Sequence, residues 1–203
     1  MNETPSYPAS ITGELVPELS RWLWLVKWFL LIPHIIVLAF LWTALFVLTV
    51  IAFFAILFTG KYPRGIFDFN LGVLRWSWRV GFYSYNALGT DRYPPFSLKE
   101  EADYPATLQI EYPERLSRGL VLVKWWLLAI PHFLLLALLS GGIGARTPGV
   151  SGLLVLFAGV VMLFGRRYPT EMYDLVMGIN RWTIRVAAYA LLMTDEYPPF
   201  SLR

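Results

Sequence analysis

A chain of 203 residues that is 57% hydrophobic, 17% aromatic and only 15% charged departs from soluble domains, about a quarter of whose residues are charged. So many apolar side chains cannot all be hidden inside one globule of this size, and the solvent implied is lipid. Cysteine is absent, which excludes a disulfide framework and any thiol-based metal or redox site; the net charge of +3 sits on basic residues flanking apolar runs, which suits anionic headgroups and not nucleic acid.

The chain starts with a polar stretch through Ser20, and the apolar run that follows is too long for a cleaved leader, so no secretory signal is expected. Ser10 to Leu15 alternates like a short strand. Residues 22–58 are then apolar except for Lys27 and His34. As one helix this run would measure about 55 Å at 1.5 Å per residue, nearly twice a hydrocarbon core of ~30 Å. A hairpin of two short spans turning near Trp42-Thr43 uses the length better and is the expectation; an interfacial helix up to Pro33 followed by one span from His34 to Phe58 is the alternative. Lys27, one turn inside the run, is expected to snorkel outwards.

After "KYP" at Lys61 comes a helical stretch, 66–88, with Asp68, Gly72, Arg75 and Arg79 at offsets 0, 4, 7 and 11. These offsets form one stripe on a helix. With Trp76, Trp78, Tyr83 and Tyr85 on its other faces, the segment reads as an amphipathic interfacial helix whose arginines reach phosphate. In a second reading it is a buried third span, Asp68 neutralising Arg75 and Arg79. "TDRYPPFSL" (90–98) ends the helix, its two prolines stopping it and Tyr93 and Phe96 anchoring beside them. The charged cluster 99–103 is the clearest linker.

Everything then returns. Tyr104-Pro105-Ala106-Thr107 repeats Tyr7-Pro8-Ala9-Ser10, and Thr107 to Tyr112 alternates like a strand that pairs with the first. "LSR", "LVKW" and "IPH" recur with Lys124 and His132, a second snorkelling cation and a second histidine. "SGGIGARTPGVSG" (140–152) is a turn signal between the apolar runs 119–139 and 152–164. After "RYP" at Arg167, the stripe recurs as Asp174, Gly178, Arg181 and Arg185, and "TDEYPPFSL" closes at 194–202 with Tyr197 and Phe200. Trp28, Trp76, Trp125 and Trp182 complete the interfacial anchors. A repeat this long is a duplicated domain: a tail 1–6, modules 7–98 and 104–202, and the linker between them. The fold class expected is an all-α membrane protein of two tandem repeats, each a transmembrane helical hairpin followed by an amphipathic interfacial helix. Lysine and arginine cluster at the open ends of the hairpins, so both termini are expected in the cytoplasm, with the two modules parallel and multi-pass.

The tandem "LSRxLxLVKW…IPH…YP…D…G…RW…RV…YPPFSL" resembles an uncharacterised bacterial, notably actinobacterial, family of small integral membrane proteins, domain of unknown function 4389, over nearly the whole chain. The resemblance implies an inner-membrane protein with duplicated modules and no assigned catalytic activity.

No GxSxG, HExxH, phosphate-cradling loop or paired-carboxylate motif is present, and an enzyme is not expected. No cofactor is expected either, although His34 and His132 at equivalent positions are weak candidates to meet across a pseudo-twofold axis and hold a metal or haem iron. The function expected is a non-enzymatic membrane accessory or scaffold protein that contacts anionic phospholipid and packs in a larger assembly or homo-oligomer. The alternative is a small transporter or channel with a path lined by the Asp and Arg stripe.

Overall fold

The computed structural model describes residues 7–140, 149–164 and 167–202. Residues 22–58 do not fold as a hairpin. A 3-10 turn, Leu23–Leu25, and a single α turn, α1 (Lys27–Leu30), lead into one unbroken helix, α2 (Ile32–Thr59). Pro33 sits in its first turn, where a missing N–H costs nothing. It stops at Gly60, whose left-handed backbone (φ 71°) turns its N–H onto Ile56 O at 2.7 Å. Between those signals there is no breaker, and at the expected turn Thr43 Oγ simply donates to Ala39 O, one turn back, at 2.9 Å. Of the alternative arrangement the single long helix is formed, whereas the helix expected up to Pro33 is a 3-10 turn and one α turn.

α2 buries only a seam, His34, Leu38, Leu45, Ala52 and Ile56, against α3 (Arg64–Tyr83). The two helices run antiparallel: Trp42 Nε1 donates to Ser77 Oγ at 3.0 Å and Asn70 Nδ2 to Thr49 Oγ1 at 3.2 Å. The expected interfacial helix is therefore an interior one, with thirteen of its twenty residues buried.

The second module repeats this plan with two insertions. Lys124 follows Lys27 by 97 residues, whereas His132 follows His34 by 98. The extra residue is absorbed by a π-helical turn, Lys124–Leu128, where Leu128 and Ala129 donate to Val123 and Lys124, five residues back. Arg167 follows Lys61 by 106, so eight more residues lie between. They coincide with 141–148, which lie outside the described residues together with most of the expected turn; its flanks are α4 (Ile130–Ser140) and α5 (Val150–Leu163). The flanks match the two halves of α2 position by position: Leu136 is buried like Leu38, and Ala158 and Met162 like Ala52 and Ile56. Ser151 Oγ donates to Leu139 O at 3.1 Å, the i to i−4 relation once the insertion is removed. α4 and α5 thus pack in succession along α6 (Thr170–Ala190) as the two halves of α2 pack along α3.

Two strands, β1 (Ala9–Gly13) and β2 (Ala106–Ile110), pair antiparallel with Ile11 opposite Leu108, Ala9 opposite Ile110 and Gly13 opposite Ala106. Since Ile11 and Leu108 are equivalent in the repeat, this register is its own mirror under a twofold rotation. Each strand packs on the other module's helix. Tyr104 Oη donates to Arg92 O at 3.1 Å and Arg75 Nε donates to Leu108 O at 2.9 Å, placing β2 on α3; Tyr7 Oη donates to Glu196 O at 3.0 Å and Tyr173 Oη to Gly13 O at 2.9 Å, placing β1 on α6. Burial pushes the Tyr7 and Tyr104 phenols above their ordinary range.

This exchange fixes direction. β2 runs from the C-terminal end of α3 to its start, where Tyr112 Oη donates to Tyr62 O at 2.6 Å and Leu116 N to Gly60 O at 2.9 Å. The second module therefore begins where α2 ends, and α4 and α5 run opposite to α2. The expectation of parallel modules is corrected: β2, which opens the second module, crosses the molecule instead of looping back.

Candidate functional site

The motifs that recur in the sequence converge in space, once per module. Lys27 is 1% exposed. Its Nζ lies 2.9 Å from Asp91 Oδ1 and donates to Thr90 O at 2.7 Å, above the Tyr83 ring at 4.4 Å. The other oxygen of Asp91 accepts Ser20 N at 2.5 Å. In the second module Lys124, 0% exposed, meets Asp195 Oδ1 at 2.6 Å and Thr194 O at 2.9 Å, with Ser117 N on Asp195 Oδ2 at 2.6 Å. Neither lysine snorkels: each is a buried cation neutralised by the aspartate of its own "TD". Burial holds both ammonium groups below their ordinary range, and the aspartate hydrogen bond opposes that shift.

Bringing "TD" back to the lysine demands a sharp return after α3 and α6. Leu88 (φ 51°) and Leu192 (φ 66°) supply it in the left-handed region, a conformation that costs a leucine roughly 1–2 kcal/mol. Both are buried, so packing holds the turn.

Beside each lysine lies an aromatic enclosure. His34 Nδ1 accepts Trp76 Nε1–H at 3.1 Å, Phe96 stacks on the imidazole at 4.0 Å and 13°, and Tyr93 tilts against it at 4.8 Å. His132 repeats this with Trp182 at 3.2 Å, Phe200 at 4.2 Å and 14°, and Tyr197 at 4.9 Å. An Nδ1 that accepts leaves the proton on Nε2, and in both modules Nε2 is buried with no partner among the described residues. The histidines do not meet across the twofold axis; each is walled in by its own module, and no group of three metal-ligating side chains occurs among the described residues. Trp76 and Trp182, expected as interfacial anchors, are 5% exposed and serve the histidines. Trp28, Tyr93, Phe96, Trp125, Tyr197 and Phe200 keep exposed ring surface.

The polar stripe does not assemble as a line of ion pairs. Asp68 pairs with Arg64 at 3.2 Å on the surface and Arg75 with Glu100 at 3.3 Å; Asp174 is exposed and Arg181 half-buried. Arg79 instead binds the tail, donating to Ser97 O and, at 2.8 Å, to Lys99 O, while Arg185 donates to Ser201 O at 3.2 Å. Gly72 and Gly178 belong to the same clasp. A Cβ at Gly72 would stand 2.8 Å from Leu98 O, and one at Gly178 2.7 Å from Leu202 O. Gly72→Ala is therefore expected to push the tail off its helix and lower stability by about 1–3 kcal/mol, read as a drop in thermal midpoint in detergent; an unchanged midpoint would contradict the close approach.

Sequence reasoning missed Asp91 and Asp195, whose signal was their retention in both copies of the closing "TDxYPPFSL" phrase. The domain of unknown function (DUF4389) matches the chain twice, over residues 21–97 and 121–201, spans that enclose each lysine, its aspartate and each histidine. No curated protein and no solved structure matches.

Proposed function

We propose, for a chain that belongs to the DUF4389 family and carries its domain twice, a non-enzymatic role as a membrane-embedded scaffold that contacts anionic phospholipid and a protein partner. The observation that carries this reading is the outer surface of the long helices. α2 is long and apolar enough to cross a membrane, and Phe40, Phe46 and Phe58 stand 74%, 69% and 72% exposed. Leu134, Leu138 and Phe164 do the same in the second module. Each such side chain gains on the order of 1.5–3 kcal/mol on leaving water, and water is the wrong medium for a face built of them.

The interior cations are spent on the fold: Lys27, Lys124 and Arg79 bond to carbonyls of the same chain, and the two lysines also to its carboxylates. Exposed cations, Arg21, Lys61, Arg64, Arg115 and Arg167, lie near the ends of the apolar helices, where an anionic leaflet offers each about 1 kcal/mol. The scaffold is expected to stay in the membrane pellet through an alkaline carbonate wash and to co-purify with anionic lipid and a partner from native membranes. Release into the supernatant would end the membrane reading, and solute flux in liposomes that depends on Arg75 and Arg181 would replace the scaffold with a transporter.

A further inference from the structure

We infer that the molecule lies flat in one leaflet, with its pseudo-twofold axis along the membrane normal and its long helices parallel to the bilayer plane. The inference rests on the membrane reading above and adds an orientation to it. The first observation is the layering. α3 is sandwiched: Trp76, Val80 and Tyr83 face α2, whereas Arg75 and Trp78 face the strands, donating to Leu108 O and Thr12 O. The strand pair and the long helices are therefore the two outer layers of the protein.

These outer layers are chemically opposite. On the strand side Ser10, Thr12 and Gln109 are exposed, Thr12 and Thr107 share a hydrogen bond, and Gln109 donates to Glu100. The Arg75–Glu100 pair lies there too, halfway along α3, with the Glu100 side chain 45% exposed. On the other side α2, α4 and α5 present large apolar side chains. Were the helices upright, both outer layers would face lipid at mid-depth, and a half-exposed ion pair would sit in hydrocarbon. Laid flat, the strand layer faces water and the helix layer faces acyl chains.

Length and direction agree with this placement. α2 has 28 residues, about 42 Å at 1.5 Å per residue, so keeping its whole length within a core of ~30 Å by tilt alone would take about 45°, beyond the usual range. A helix about 10 Å across fits within one leaflet. The antiparallel modules present the same apolar face when the twofold axis is normal to the membrane; upright, they would be inverted and their basic ends divided between two compartments.

The absence of cysteine allows a direct test by single substitutions in the full chain. Arg21→Cys and Lys61→Cys bracket α2, and Thr12→Cys and Gln109→Cys mark the strand face. In sealed, uniformly oriented vesicles, an impermeant maleimide is expected to label all four from the same side at least tenfold faster than from the other. Labelling of the Arg21 and Lys61 positions from opposite sides, or protection of the strand positions until detergent is added, overturns the flat orientation while leaving membrane embedding intact. Carbonate release of the unsubstituted protein overturns the membrane reading itself.

Discussion

A fragment ending at Leu98 is expected to yield no folded monomer. The other module covers one face of α3: Ala106, Leu108 and Ile110 are buried against it, and Tyr104 closes over it by donating to Arg92 O. At roughly 1.5–3 kcal/mol for each large apolar residue, the loss approaches the 5–15 kcal/mol that holds a typical domain together. The second module alone is in the same position, since α6 loses Ala9 and Ile11. It has one recourse: the strand register is symmetric about Ile11 and Leu108, so β2 of one copy can pair with β2 of another. Residues 99–203 alone should run as a dimer or aggregate, whereas co-expressed halves should elute together as a one-to-one complex. A monomeric second half that unfolds cooperatively would show that the exchanged strands are dispensable.

That exchange marks the boundary of what the sequence made legible. The repeat, the strands near Ser10 and Thr107 and the apolar stretches follow from local pattern, and the structure places β1 and β2 within a residue or two of the alternating segments. The helical hairpin failed because length was weighed against bilayer thickness, when nothing local at Trp42 or Thr43 breaks a helix. The eight extra residues of the second module, which carried the turn signal, lie outside the described residues. Direction failed for a different reason: parallel and antiparallel modules have identical local sequences, and only the contact of Tyr104 and Leu108 with a helix about thirty residues earlier decides between them. At the site, Asp68, Arg75 and Arg79 lie on one helix, yet Asp68 pairs with Arg64 and Arg75 with Glu100, while Arg79 bonds to backbone carbonyls of the tail, which carry no sequence signature. Lys27 resembled a snorkelling residue because its counter-ion lies 64 positions away.

Asp91→Asn is expected to be among the most damaging single substitutions outside the apolar core, costing about 3 kcal/mol or more. The change keeps an oxygen for Ser20 N but removes the negative charge, leaving the Lys27 ammonium, 1% exposed, with only Thr90 O and the Tyr83 ring. Breaking a buried pair from one side typically costs about 3–5 kcal/mol; Asp91, 24% exposed, keeps some water, which places the effect at the lower end. Lys27→Met should cost less, because the carboxylate left behind reaches solvent and retains Ser20 N. Lys27→Met combined with Asp91→Asn should recover part of the Asp91→Asn loss, since the uncompensated cation is gone. Thermal unfolding of the four proteins in detergent measures this coupling, and additive losses would mean that the pair is not interacting. The same cycle on Lys124 and Asp195, whose contact is shorter at 2.6 Å, should give at least as large a coupling. Equal couplings in both modules would identify the lysine–aspartate lock as the feature that ties each "TDxYPPFSL" tail to its own helix pair, which is why the chain carries that phrase twice.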